Sequence, residues 1–157
     1  MRSPVAMPDI DIDDADRAMM ARCIELSKIG AAAGELPFGS LVAHRGRMIA
    51  EATNETMRHV DESRHAEILA IARARQLLGD EELRNCTLYS TAEPCTMCSF
   101  CIRAAGIGRV VFALGSPKLG GCLDGISSVI INSYSSAPHR NWCPAFCPTM
   151  LTGSGRN

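Results

Sequence analysis

The chain has 157 residues, 46% of them hydrophobic and 21% charged, with a formal net charge of −1 at pH 7. That length fits one domain of about 100–200 residues, and a domain of this size buries about 68% of its unfolded surface, enough for a core without staples. The composition excludes wholesale disorder, and the near-zero charge lends no support to tight nonspecific binding of a polyanion.

The longest apolar runs fall short of the roughly 18 residues a membrane-spanning helix needs. The first residues turn acidic at once and contain no apolar stretch of the kind a secretory signal carries. A cytoplasmic protein with no membrane association is therefore expected. Its eight cysteines are read as thiols, some of them metal ligands, and not as a disulfide framework.

Residues 1–13 read as a tail, 14–132 as the domain and 133–157 as an irregular tail rich in Ser, Pro, Gly and Cys. A first helix is predicted from Asp14 to about Gly30, with Gly30 or Gly34 as its stop, acidic residues at its start and Met20, Cys23, Ile24 and Ser27 at helical spacing. Gly39–His44 and Met48–Ala52 then read as a hairpin around the turn Arg45-Gly46-Arg47. Residues 53–64 read as a polar loop. A second helix is predicted from His65 to about Leu78, with Gly79-Asp80 as its stop. Thr87–Thr91 is a strand, Pro94 opens a third helix that Gly106 closes, Arg109–Ala113 is another strand, and Val129–Ile131 one more. Strands alternating with helices imply crossovers and an α/β sheet covered by helices.

The chemistry gathers in two stretches, His65-Ala66-Glu67 and Glu93-Pro94-Cys95-Thr96-Met97-Cys98. One imidazole and two thiolates make three ligands of a tetrahedral Zn²⁺, and three protein ligands leave the fourth position open, the pattern of a catalytic site. Cys95 and Cys98 stand at i and i+3, on one face of the third helix. His65 and Glu67 stand at i and i+2 and serve one site only where the chain enters a helix. The arrangement is then two helix N-termini aimed at one metal, with Glu67 near the metal but not on it, as a proton carrier. Each half alone has other readings: Cys-x-x-Cys as a redox pair, or Cys95, Cys98, Cys101 and His65 as a structural knuckle. Together, H-x-E and P-C-x-x-C match the signature of zinc deaminases acting on cytosine or adenine.

On these motifs the sequence resembles the cytidine deaminase-like superfamily, in the branch of bacterial tRNA adenosine deaminases, guanine deaminases and fungal-type cytosine deaminases. The likeness covers about Met19 to Gly121 and includes Gly34–Gly39, the hairpin ending at Asn54, and Gly106–Phe112. The resemblance implies a three-layer α/β/α sandwich with a mixed sheet of about five strands, a homodimer, and hydrolytic loss of ammonia. It implies His65, Cys95 and Cys98 as zinc ligands, Glu67 as proton shuttle and Asn54 as a hydrogen-bonding partner of the base, with the backbone N–H of Ala66 beside it. Phe38 resembles the guanine deaminase branch, where an aromatic residue stacks on the base; packing under the hairpin is the other reading. Asp124 lies where guanine deaminases carry a carboxylate, and Lys118 is either a phosphate contact or a solvated side chain.

The C-terminal stretch departs from the tRNA branch, whose members end in a helix that is often basic; Trp142 and Phe146 stand there as candidates for a lid or an anchor. The leading expectation is therefore deamination of a free nucleobase or nucleoside, guanine first and cytosine next. In it, zinc-activated water attacks the amino-bearing ring carbon. Adenosine deamination in tRNA is the alternative, and a zinc-stabilised binding module without catalysis is the alternative of another class. Among the remaining candidates, Cys23, Cys86, Cys101 and Cys122 read as packed thiols and Cys143 with Cys147 as a pair four apart. His59 reads as exposed or as entering the pocket. Arg73 and Arg75 read as a solvated helix face. Glu93 reads as an orienting or loop-fixing carboxylate, or as a surface ion pair.

Overall fold

The computed structural model describes residues 12–116, 120 and 121, and the backbone of 127–130. Asp124, Lys118, Cys122, Trp142, Cys143, Phe146 and Cys147 lie outside the described residues. Helix α1 (Asp14–Ala32) opens the domain. Strands β1 (Gly39–His44) and β2 (Arg47–Thr53) form the hairpin, followed by the short helix α2 (Thr56–His59) and helix α3 (Ala66–Leu78). A 3₁₀ turn (Glu81–Asn85), β3 (Cys86–Ala92), α4 (Thr96–Ala105), β4 (Arg109–Leu114) and β5 (Ser127–Ile130) complete it.

The strand order is β2-β1-β3-β4-β5. β1 pairs antiparallel with β2 and β3, while β3–β4 and β4–β5 are parallel. The expected mixed sheet of five strands is therefore present. Alternation along the strands splits the core in two. Val42, Ala50, Ala52, Leu88, Val110 and Phe112 pack with Ala70, Ile71 and Ala74 of α3 and Ile102 of α4. Leu41, Ala43, Tyr89, Val111 and Ala113 pack with Met20 and Cys23 of α1 on the opposite face. This is the three-layer arrangement. Gly39 permits it at the start of β1: a Cβ there would stand 2.4 Å from the Cys23 carbonyl oxygen, so only hydrogen lets α1 lie so close.

Several boundaries differ from the sequence expectation. α1 runs past Gly30 to Ala32, and of the two glycines expected as its stop it is Gly34, with φ of 84°, that follows the helix end. The stretch read as a polar loop contains α2, and β2 begins at Arg47, leaving Arg45-Gly46 as the turn. The third helix starts at Thr96 and not at Pro94, so Cys95 is its N-cap. β5 begins two residues before Val129.

α1 is tied to the sheet by a buried polar cluster. Asp13 and Asp16 form a reciprocal capping box. The Asp16 carboxylate also accepts from the Tyr89 hydroxyl at 2.6 Å and from Arg109 through both terminal nitrogens at 2.6 and 2.8 Å. Burial alone would raise the Asp16 pKa, but the hydrogen bonds from Arg109 and Tyr89 and the Arg109 charge outweigh it and hold the carboxyl below its ordinary value. Burial and the neighbouring Asp16 carboxylate in turn push the Tyr89 phenol well up.

Asp16→Asn is expected to cost about 3 kcal/mol of folding stability, since it leaves the Arg109 charge without its partner in a half-buried site. Urea unfolding across pH reads the sign as well. The stabilisation from a depressed carboxyl pKa is fully present above the ordinary value of 3.8 and is lost as pH falls through the lowered one. The gap between wild type and Asp16→Asn should therefore hold at pH 5–7 and close only under stronger acid.

Candidate metal and active site

β2 runs parallel to β3, since both are antiparallel to β1. The carboxyl ends of β2, β3 and β4 and the beginning of β1 thus share one end of the sheet, the end at which open α/β sheets bind ligands. Phe38 precedes β1, Asn54 follows β2, and the Glu93–Cys95 turn follows β3. The chain enters α3 at His65 and α4 at Cys95, the N-cap residue in each case.

The His65 Nδ1 lies 3.6 Å from Cys95 Sγ and 3.4 Å from Cys98 Sγ. One ligand atom from each of the three residues lies within 4.8 Å of the others. Tetrahedral geometry with Zn–S of about 2.3 Å and Zn–N of about 2.0–2.1 Å puts nitrogen and sulfur about 3.6 Å apart, so the donor set fits zinc. Nδ1 is the ring nitrogen turned toward both sulfurs. Cys101 is not in the cluster and is half-buried, while Cys23 and Cys86 are buried, in line with packed thiols. Burial, then the negative charge of Glu67, pushes the Cys98 thiol far up. Without a cation the site holds it protonated, and metal binding must expel that proton.

Glu67 is the second residue of α3 and is buried. Its Oε1 accepts from the Ser90 hydroxyl at 3.2 Å. Ala66 is fully buried at the first helical position, and its N–H is one of the first-turn donors that a helix leaves without an internal acceptor. Asn54 is buried, its amide nitrogen donating to Thr56 Oγ1 at 2.8 Å and its backbone N–H to the Phe38 carbonyl at 3.1 Å. The next backbone N–H, of Glu55, donates to the Arg64 carbonyl at 3.1 Å, which ties the Asn54 loop to the residue before His65. Phe38 is partly exposed beside it.

Three carboxylates hold the loops around this centre. Glu35, almost wholly buried, accepts from the backbone N–H of Met57 at 3.0 Å and of Arg58 at 2.8 Å, capping α2 from the preceding loop. Burial opposes its charge, yet those two N–H groups keep its pKa below the ordinary carboxylate value. Glu55 pairs with Arg64 and Arg73, and His59 stands 3.5 Å from it. Arg73 also donates to the Glu51 carbonyl, and Arg75 pairs with Asp80, so neither arginine is merely solvated. Glu93 accepts from the Ser116 N–H at 2.7 Å, which fixes the loop after β4. That loop returns to the metal turn: Gly121 N–H donates to the Pro94 carbonyl at 2.7 Å. A Cβ on Gly121 would stand 2.2 Å from Ser99 Oγ and 2.8 Å from the Cys95 carbonyl oxygen.

Ser90 and Glu35 were not singled out in the sequence. Ser90 carries a faint signal, a small polar residue at the end of an apolar alternation; the role of Glu35 depends on a partner more than twenty residues away.

A model of the cytidine and deoxycytidylate deaminase zinc-binding region matches residues 13–114, and the chain belongs to that family. It is 39% identical over 88 residues to the tRNA-specific adenosine deaminase of Aquifex aeolicus, covering 56% of this chain and 58% of that protein. It is 33% identical over 138 residues to the tRNA(Ile)-lysidine synthase of Deinococcus deserti, covering 87% of this chain and 25% of that one. The chain thus spans about three fifths of the one relative and a quarter of the other. Among solved structures, one from a study of A-to-I editing by tRNA:A34 deaminases superposes with a TM-score of 0.68 at 29% identity, covering 73% of this chain and 98% of that chain. The guanine deaminase of Bacillus subtilis superposes with a TM-score of 0.61 at 33% identity, covering 66% of each chain.

The protein as purified is expected to bind one zinc, lost in His65→Ala and in Cys98→Ala, as metal analysis would report. Because Cys98 must lose its proton, affinity measured against a competing chelator should fall as pH falls, by about a hundredfold between pH 8 and pH 6 for that one proton.

Proposed function

We propose that this chain is a zinc-dependent hydrolytic deaminase of a free nucleobase or nucleoside, with guanine favoured and cytosine next. One observation carries the reading. A three-donor metal cluster, which leaves a tetrahedral position open, lies beside a buried carboxylate, Glu67, that a structural metal site has no use for. Bound zinc would supply a water made acidic enough to react near neutral pH. Glu67 takes one proton from the water and passes it to a ring nitrogen, then takes the second from the hydroxyl so added to the ring carbon and passes it to the departing amine. The balance is one water in and one ammonia out, with a ring carbonyl in place of the amino group.

The remaining residues bind and orient. Asn54 has its amide nitrogen engaged by Thr56, which leaves its carbonyl oxygen to accept from the base edge. The Ala66 N–H offers a donor to an acceptor on the same base. Phe38, beside Asn54, stacks on the ring. The chain works as a homodimer, with Phe100 and Met97 of α4, 66% and 37% exposed and three residues apart, as an apolar face for the second copy.

A second reading rests on its own observation: the Aquifex relative is a tRNA-specific adenosine deaminase. The chemistry would be the same and the partner a folded RNA.

Ammonia release by the zinc-loaded protein separates these. The panel is guanine, cytosine, adenine, their nucleosides, triazine and pterin analogues, and a tRNA anticodon stem-loop, with Glu67→Ala as the blank. Turnover of guanine, reduced about a thousandfold or more in Glu67→Ala, is the expected result. Turnover of the stem-loop alone establishes the second reading, and silence throughout moves the protein toward a zinc-stabilised binding module. Sedimentation of wild type and Phe100→Glu tests the dimer: the wild type should sediment as two chains and the variant as one.

A further inference from the structure

The sheet face under α3 and α4 is apolar until it reaches the site. On β3, Cys86 and Leu88 enter the core on that face, and Ser90, two residues on, follows them to the same side. Its neighbours in register are Ser40 on β1 and Phe112 on β4. Ser90 is 1% exposed, so its hydroxyl depends on a protein partner. The Ser40 hydroxyl turns the other way and donates to the Tyr89 carbonyl at 2.6 Å. The Ser90 hydroxyl crosses instead from sheet to helix and donates to Glu67 Oε1.

We propose that Ser90 is the positioning residue for Glu67: it holds Oε1 against the sheet and so leaves Oε2 as the oxygen that handles the proton. The word proton rests on the deaminase reading; the anchoring does not. A glutamate side chain has three rotatable torsions and samples several rotamers unless something fixes it. Here it stands in the first turn of α3, where nothing of the helix backbone reaches its carboxylate. The Cys98 sulfur is close to Glu67, but as a metal-bound thiolate it has no proton to donate. Ser90 keeps its hydroxyl proton in either state. Among the described residues it is therefore the donor that remains to the carboxylate when the site is loaded. A donor from the sheet also suits the task, since β3 is the central strand and is mostly buried.

The test compares wild type, Ser90→Ala and Ser90→Thr. Ser90→Ala removes the donor while adding no bulk, and Ser90→Thr restores it with a side chain that strands accept. Ser90→Ala should keep one zinc and the wild-type melting temperature, lower kcat about tenfold and leave KM within about twofold. Ser90→Thr should recover most of the loss. In crystal structures of the zinc form, the Glu67 carboxylate should hold one orientation in wild type and Ser90→Thr and turn or split in Ser90→Ala. An unmoved carboxylate with unchanged kcat in Ser90→Ala overturns the proposal, and so does a loss that Ser90→Thr fails to restore, because packing then explains it. If the wild type releases no ammonia from any compound, the deaminase reading falls, and the crystallographic position of Glu67 in Ser90→Ala still decides the anchoring.

Discussion

The arrangement depends on two helices that begin at the same point. His65 and Cys95 are both N-cap residues, and their ligand atoms face each other across 3.6 Å. Helix N-termini carry partial positive charge and unsatisfied N–H groups, which favours thiolate and carboxylate there. The field does not settle the matter alone, because burial and Glu67 hold the Cys98 thiol protonated until a cation arrives. The topology brings the two ends together: with β2 and β3 parallel and β1 between them, the segments entering α3 and α4 emerge at one end of the sheet. The metal centre is the product of that crossover pattern and the two cap positions.

Holding the ends together falls to carboxylates that never touch the metal cluster. Glu35 caps α2 from a loop upstream, Glu55 collects arginines from the loop before α3 and from α3 itself, and Glu93 takes the Ser116 N–H. Each closes a different loop over the same end of the sheet. Such bonds to buried or half-buried carboxylates are stronger than neutral ones, so the loops are fixed by a few charge-assisted bonds where the apolar core stops.

The sequence was legible where one segment carries its own signal. The strand-like runs Gly39–His44, Thr87–Thr91 and Arg109–Ala113, the stop at Gly106 and the spacing of Cys95 and Cys98 each need only neighbours in the chain, and the elements and the metal ligands followed from them. Boundaries failed where a distant contact decides. Of the two glycines that read as stops for α1, Gly34 with its positive φ follows the helix end, while Gly30 lies inside the helix close to Thr53. Pro94 looks like a first helical residue, yet Cys95 bridges to Gly120 in an antiparallel pairing, and the helix starts only after it. Arg73 looks solvated on a helical wheel, but the Glu51 carbonyl and Glu55 come to it from the hairpin edge and the loop beyond.

Glu67 differs from the other carboxylates of the site in what it lacks. Glu35 accepts from two backbone N–H groups, one on each oxygen, and the Glu55 oxygens accept from Arg64 and Arg73, so both carboxylates are held in their charged form. Glu67 is equally buried, but among the described residues its neighbours are neutral: the Ser90 hydroxyl donates to Oε1 and the Cys98 thiol lies beside the carboxylate. A carboxylate tied by strong charge-assisted bonds cannot exchange a proton without losing them. The contrast between carboxylates held by cations and backbone N–H groups and one met by neutral groups is the physical support for the role proposed for Glu67.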